Sequence, residues 1–389
     1  MKKDLILHAV KMFFIVCSIL MFTLHAYGQV SAQPTNPCPT DNLSNYPGTW
    51  KPLKLYSAPG HIKAKPGSYD KNIANANLEK QLNIAKKAYP QPLGGNINYD
   101  KYLDFSNVND YMPFGYRLYI GHPGFVCTVG DKITETYETG VYLVFHVNKY
   151  NAFAFPVTAP EVSGTRQRVG VMPGSESDYS INGQRVFLIH ENFVSSNGWM
   201  DHYTEKIYGD EEPRQQWFII RKENVPLFSY VTRREYLTQF REEIKTYRDA
   251  YIQHIQNEYK KYPEFLKEEY ERLDDYKRRA ENAIRLVDDY LKNKSEEELT
   301  RPVSELFHHV SVIYTDEPEL KFREDRFHLA FVNEEYLDKK LPHHIPQFVI
   351  VELSALAHDK TGSSAWKYNF RKKMMEGLDF TSIYNMLSK

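Results

Sequence analysis

Tyr179-Ser180-Ile181-Asn182-Gly183-Gln184-Arg185-Val186-Phe187-Leu188-Ile189 carries the clearest local signal in the chain. Asn-Gly tolerates the positive φ angles of a type I′ turn, whose twist suits two antiparallel strands, so the stretch predicts a β-hairpin. Working outward, Tyr116 to Ile120, Phe125 to Val129, Val141 to Val147 and Phe153 to Val157 are short runs of β-branched and aromatic residues between turn residues. They read as strands. Downstream, Trp217 to Ile220 and Pro226 to Phe228 flank a short polar connection and suggest a second hairpin. Its proline-bearing strand belongs at an edge, because proline cannot donate to the ladder. Strand following strand with short links argues for an antiparallel β region over residues 111–231.

A helical segment, 232–298, follows. Thr232-Arg233-Arg234-Glu235 has the form of a capping box, and Leu237, Phe240, Ile244, Tyr247, Tyr251, Ile255, Tyr259 and Tyr262 advance by threes and fours along one stripe. After Pro263 the stripe resumes through Leu266, Tyr270, Leu273, Ala280, Ile284, Val287 and Leu291, with acid-first pairs four apart such as Asp275 and Arg279 on the wet side. Proline must interrupt the ladder. With no Gly or Asn beside it to build a reversal, the expectation is one bent rod kinked at Pro263, with an antiparallel pair as the alternative. The Tyr-rich stripe is expected to pack on the sheet; its rival is a coiled coil with a partner.

The remainder, 299–389, reads as a C-terminal α+β segment, with strands at Phe327 to Val332 and Gln347 to Leu353 and a helix from Ala365 to Leu387 interrupted near Gly377. Ser295-Glu296-Glu297-Glu298 offers another capping box just before it. Residues 29–110 read as an irregular arm with one short helix between Lys71 and Ala88. The fold class is therefore α+β: an antiparallel sheet core, a long charged helical segment, and a C-terminal portion that returns to the sheet.

At the start, Lys2, Lys3 and Lys11 precede an uncharged run from Met12 to Leu24, and Ala26-Tyr27-Gly28 places small residues before a cut ahead of Gln29. Residues 1–28 thus read as a signal peptide, and the product as secreted or periplasmic. The run is too short to span a bilayer, so the membrane enters only through export. Cys17 lies in the leader without the small neighbours of a lipidated cysteine. Of the 49 basic and 50 acidic residues, three Lys and one Asp fall in the leader, leaving 46 against 49. A balance that even draws no nucleic acid. Cys38 and Cys127 are the cysteines left after cleavage, and an oxidising compartment favours their pairing. Asn42-Leu43-Ser44 and Asn293-Lys294-Ser295 fit the glycan acceptor pattern.

Local catalytic motifs are sparse. His190-Glu191 opens a zinc-protease pattern, but Val194 stands where the second histidine belongs. His308-His309 and His343-His344 are adjacent pairs whose rings project in different directions, a poor platform for a metal. Gly174-Ser175-Glu176-Ser177-Asp178 lacks the second glycine of a nucleophile elbow, and no dinucleotide or phosphate loop is present. No cofactor or metal is expected. Aromatic residues make up 14% of the chain, including 29 Tyr, enough to ask where they surface. Trp199, Tyr203, Tyr208 and Trp217 are the candidates for a ligand surface. The reading that follows is a non-catalytic binding or protein-interaction module outside the cytoplasm, with a protein or glycan partner. The alternative is a hydrolase of an envelope or environmental polymer, whose carboxylates would meet only in the fold.

Overall fold

The computed structural model describes residues 40–53, 70–103, 115–128, 132–136, 140–150, 153–156, 179–190, 193–205, 213–304, 320, 322, 327–333, 336–338, 340–355 and 365–388. The leader, Cys38, Tyr208, Glu191, the 174–178 motif and the 308–309 histidines lie outside them. The strands are β1 (Trp50–Pro52), β2 (Ile97–Tyr102), β3 (Tyr116–Gly121), β4 (Phe125–Thr128), β5 (Lys132–Glu135), β6 (Val141–Val147), β7 (Phe155–Pro156), β8 (Ser180–Ile181), β9 (Gln184–His190), β10 (Phe193–Ser196), β11 (Met200–Glu205), β12 (Gln215–Ile220), β13 (Phe228–Tyr230), β14 (Phe327–Val332) and β15 (Val349–Ala355). The helices are α1 (Lys71–Ala88), α2 (Arg233–Tyr259), α3 (Pro263–Glu271), α4 (Leu273–Asn293), α5 (Glu296–Leu299), α6 (Ala365–Gly377) and α7 (Phe380–Tyr384).

The β8–β9 hairpin forms as expected, with Asn182 and Gly183 at φ 52° and 79°. The large sheet runs β1-β2-β3-β6-β15-β12-β11-β10 and a smaller one β13-β14-β9-β7. All pairs are antiparallel except β1 with β2. Two expectations need correcting. The residues at 215–220 and 226–230 do not form a hairpin, because β12 pairs with β11 and β15 in the large sheet whereas β13 pairs with β14 in the other. The chain crosses between sheets there. The arm is not irregular at its end either: β1 and β2 join the large sheet, and α1 starts on Asp70, whose carboxylate accepts from the Asn72 and Ile73 amides.

Alternation along each strand builds four layers. Val141, Leu143, Phe145 and Val147 of β6 and Val349, Val351 and Leu353 of β15 face α1 and α6 in one core. Trp217, Ile219 and Ile350, from the opposite face, meet Phe187, Ile189 and Ala330 of the smaller sheet in a second. The far side of that smaller sheet, through Val186, Leu329 and Phe331, carries Leu237, Phe240, Ile244, Ala280 and Val287 of the helices.

Those helices do not form a bent rod. Arg241 Nη1 donates to Asp288 at 2.9 Å, the Tyr251 and Tyr276 rings lie 4.4 Å apart, and Tyr259 stacks on Tyr270 at 4.1 Å. As the number rises on one limb it falls on the other, so α2 and α3–α4 are antiparallel. No glycine is required, because Tyr262 at φ −135° and ψ 61° breaks the helix and Pro263 opens α3 as its first residue, where its missing N–H costs nothing. Folding back lets the two stripes bury each other, and Ile255, Leu273 and Tyr276 are buried accordingly.

Candidate functional site

The smaller sheet covers only part of the large sheet's face. On the β2-β3-β6-β15 part, the residues turned away from α1 and α6 are Asp100 and Tyr102, Arg117 and Tyr119, Tyr142 and His146, and Glu352, with Gln215 beside them at the start of β12. Asp100, Tyr102, Arg117, Tyr119, Tyr142 and Gln215 are partly buried, Glu352 keeps 13% of its side chain exposed, and His146 is buried. Each strand reaches this face by period-2 alternation, so the polar groups arise from the same pleat that builds the core behind them.

Glu352 is the hub. Tyr142 donates its hydroxyl to Oε1 at 2.9 Å, Gln215 Nε2 donates to the same oxygen at 2.5 Å, and His146 Nε2 meets Oε2 at 3.0 Å. Burial alone would raise the Glu352 pKa; the donors, His146 foremost, outweigh it and hold the carboxyl below its usual range. Burial pushes His146 down, against the pull of Glu352, and the nearby Lys149 and Arg117 charges push the same way as burial. Burial also raises the Tyr142 hydroxyl, with the Glu352 charge adding to it. The resting state is therefore an ionised carboxylate ringed by three neutral donors. A carboxylate only accepts, so Nε2 carries the imidazole proton and Nδ1 is a bare acceptor.

Around this hub the face is aromatic. The Arg117 guanidinium lies over the Tyr102 ring at 4.4 Å, and Tyr119 sits 6.0 Å from Tyr142. Arg117 and His146 are directly opposed residues of β3 and β6.

A second unusual surface is the hairpin tip. Helix α3 buries none of its residues. Tyr262, Phe265 and Tyr270 are 54%, 80% and 41% exposed.

The ligand-surface candidates fall elsewhere. Tyr203 and Trp217 are directly paired across β11 and β12 but are buried in the inter-sheet core, while Trp199 turns to the opposite face and packs on Tyr384 at 4.8 Å. They are brought together only in part, and Tyr203 and Trp217 present no surface. The reason is the second sheet, which covers that face. His190 stacks on Trp217 at 4.2 Å, Asp201 is held by Arg221 Nε at 2.6 Å, and His202 stacks on Phe218 at 4.2 Å. Asp201 and His202 are neighbours on one strand and point to opposite sides, so these groups do not converge. His344 Nδ1 accepts the Asp70 amide at 2.9 Å, a structural role. No group of three His, Cys, Asp or Glu side chains that could hold a metal occurs among the described residues, nor is any described helix long and apolar enough to cross a membrane.

Cys127 lies on β4, and its expected partner Cys38 is outside the described residues. Sequence reasoning missed the sheet-face cluster, although a signal was present. His146 and Glu352 each interrupt one of the most apolar strands in the chain, Val141–Val147 and Val349–Ala355, and a polar residue there needs a reason. Compared with family models, curated proteins and solved structures, the chain matches none.

Proposed function

We propose that the protein is exported through residues 1–28 and acts outside the cytoplasm as a non-catalytic binding module that engages a protein partner through its helical hairpin tip. The observation that carries this reading is the exposure of Tyr262, Phe265 and Tyr270 at the end of the limb. Helix α2 alone, with 27 residues, is roughly 40 Å long. Such rings cost solvation when left bare, and aromatic residues are enriched at the centres of protein interfaces. Lys260, Lys261, Lys267 and Arg272 are matched by Glu264, Glu268, Glu269 and Glu271, so the tip has no one-sign field to draw it to an anionic membrane or nucleic acid. A Cys38–Cys127 disulfide belongs to the same exported reading, and mass mapping of the non-reduced secreted protein is its check.

The test compares the wild-type chain with a Tyr262→Ser, Phe265→Ser, Tyr270→Ser variant, using light scattering for self-association and capture from envelope fractions. The expected result is a specific protein, or a second copy, held by the wild type and released by the variant. A monomer with the same captured set for both chains would sink the proposal. A hydrolase is the less favoured reading, because the groups bonded to Glu352 are Tyr142, His146 and Gln215, with no second carboxylate among them.

A further inference from the structure

Two buried polar atoms on this sheet face have no hydrogen-bond partner among the described residues: Arg117 Nε and His146 Nδ1. They are complementary. The guanidinium Nε–H can only donate, and the imidazole Nδ1 can only accept, because Nε2 is committed to Glu352 at 3.0 Å. They belong to directly opposed residues of adjacent strands, whose Cβ atoms stand about 5 Å apart. A buried donor or acceptor left unmade is costly because its desolvation is not repaid, so a face that keeps both is suited to a group that accepts from one and donates to the other. A hydroxyl does this. A carboxylate or phosphate oxygen would satisfy Arg117 but leave Nδ1 facing another acceptor, and an ammonium would do the reverse.

We propose that this face binds a neutral carbohydrate, one sugar hydroxyl bridging Arg117 Nε and His146 Nδ1 while pyranose C–H faces lie on the partly exposed edges of Tyr102, Tyr119 and Tyr142. The aromatic platform supplies apolar faces with polar tips. Glu352, fixed by its three donors, holds the imidazole tautomer that makes Nδ1 an acceptor. Arg117 is pre-oriented over Tyr102 at 4.4 Å, which limits the entropy lost on binding. Nothing in the site requires the hairpin tip, so the two proposals stand or fall separately.

The experiment screens the full chain on an array of neutral oligosaccharides (cello-, xylo-, manno-, malto- and chito-series) and follows the strongest signal by titration calorimetry. The wild type is expected to bind at least one series. Tyr119→Ala, at a partly exposed position, should weaken it by about ten-fold for loss of a stacking face. Arg117→Lys keeps the charge but lacks Nε–H, and should weaken it comparably while near-UV circular dichroism stays unchanged. The hairpin-tip variant should bind as the wild type does, which separates failure here from failure of the docking reading. A buried water is the rival occupant of the Arg117–His146 bridge. It predicts that no series binds, or that both site variants bind like the wild type, and either result overturns the proposal.

Discussion

His122 shows how far burial can move a single group. Its ring lies 4.9 Å from Trp366 and 5.1 Å from Phe370, and burial lowers its pKa to about 4 against the opposing pull of the Asn96 carbonyl. Between the ordinary value near 6.5 and about 4, the unfolded chain binds a proton that the native state refuses. Stability must therefore fall as pH drops through that window, by up to about 3 kcal/mol from this residue. His146 and His202, also lowered by burial, act in the same direction. Urea denaturation at pH 7 and pH 5 should show a lower midpoint at pH 5, and equal midpoints would refute the assignment. Gln81 is a second case: it is fully buried in α1 and neither amide atom has a partner among the described residues. Gln81→Met should raise stability by about 1 kcal/mol in the same assay, since it removes two unmet polar groups at similar volume.

Elements are held by a few side chains at their ends. Thr232 and Glu235 form the reciprocal cap of α2, and Thr232→Ala should cost about 1 kcal/mol of unfolding free energy. Where the chain leaves the large sheet after β12, Arg221 is bidentate to Asp201 at 2.6 and 2.9 Å, and its Nη1 donates to the Gly198, Lys222 and Val225 carbonyls. That single guanidinium ties the crossing to the β10–β11 turn. Asp201→Ala leaves it buried without its counter-charge, and should cost roughly 3 kcal/mol in the urea midpoint. The distal hairpin is the opposite case. Tyr251 and Tyr276 already touch across the limbs, so replacing residues 252–275 by a Gly-Asn link should keep a cooperative transition while lowering the unfolding free energy by about 3–5 kcal/mol. The limb itself gives up the burial of Ile255 and Leu273 and the partial burial of Ile252.

At the scale of the whole molecule, the last strand in sequence is central in space: β15 lies between β6 and β12. Its odd-numbered residues feed the helical core and Ile350 the inter-sheet core. A chain ending before Val349 is therefore expected to lose its cooperative urea transition, whereas the hairpin excision retains it. Local rules were enough for much of this architecture. The Asn182-Gly183 turn, the Thr232 cap, the α1 boundaries and the β6 and β14 strands are legible because each is decided by residues a few positions apart. β2 was not, since Asn98, Asp100 and Tyr102 present the polar face of the candidate site and dilute its apolar alternation. The direction of the helical limb was not either, because a proline says that a helix restarts but not where it turns. The sequence by itself thus determined the α+β class and those segments whose strand or helix is decided by near neighbours, such as β6, β9, β14, α1 and α2. Tertiary structure alone decided that Arg117, His146 and Glu352 share one face, that Trp217 is core and that the tyrosines of 262 and 270 stay wet, because burial and cross-strand pairing depend on residues up to hundreds of positions away.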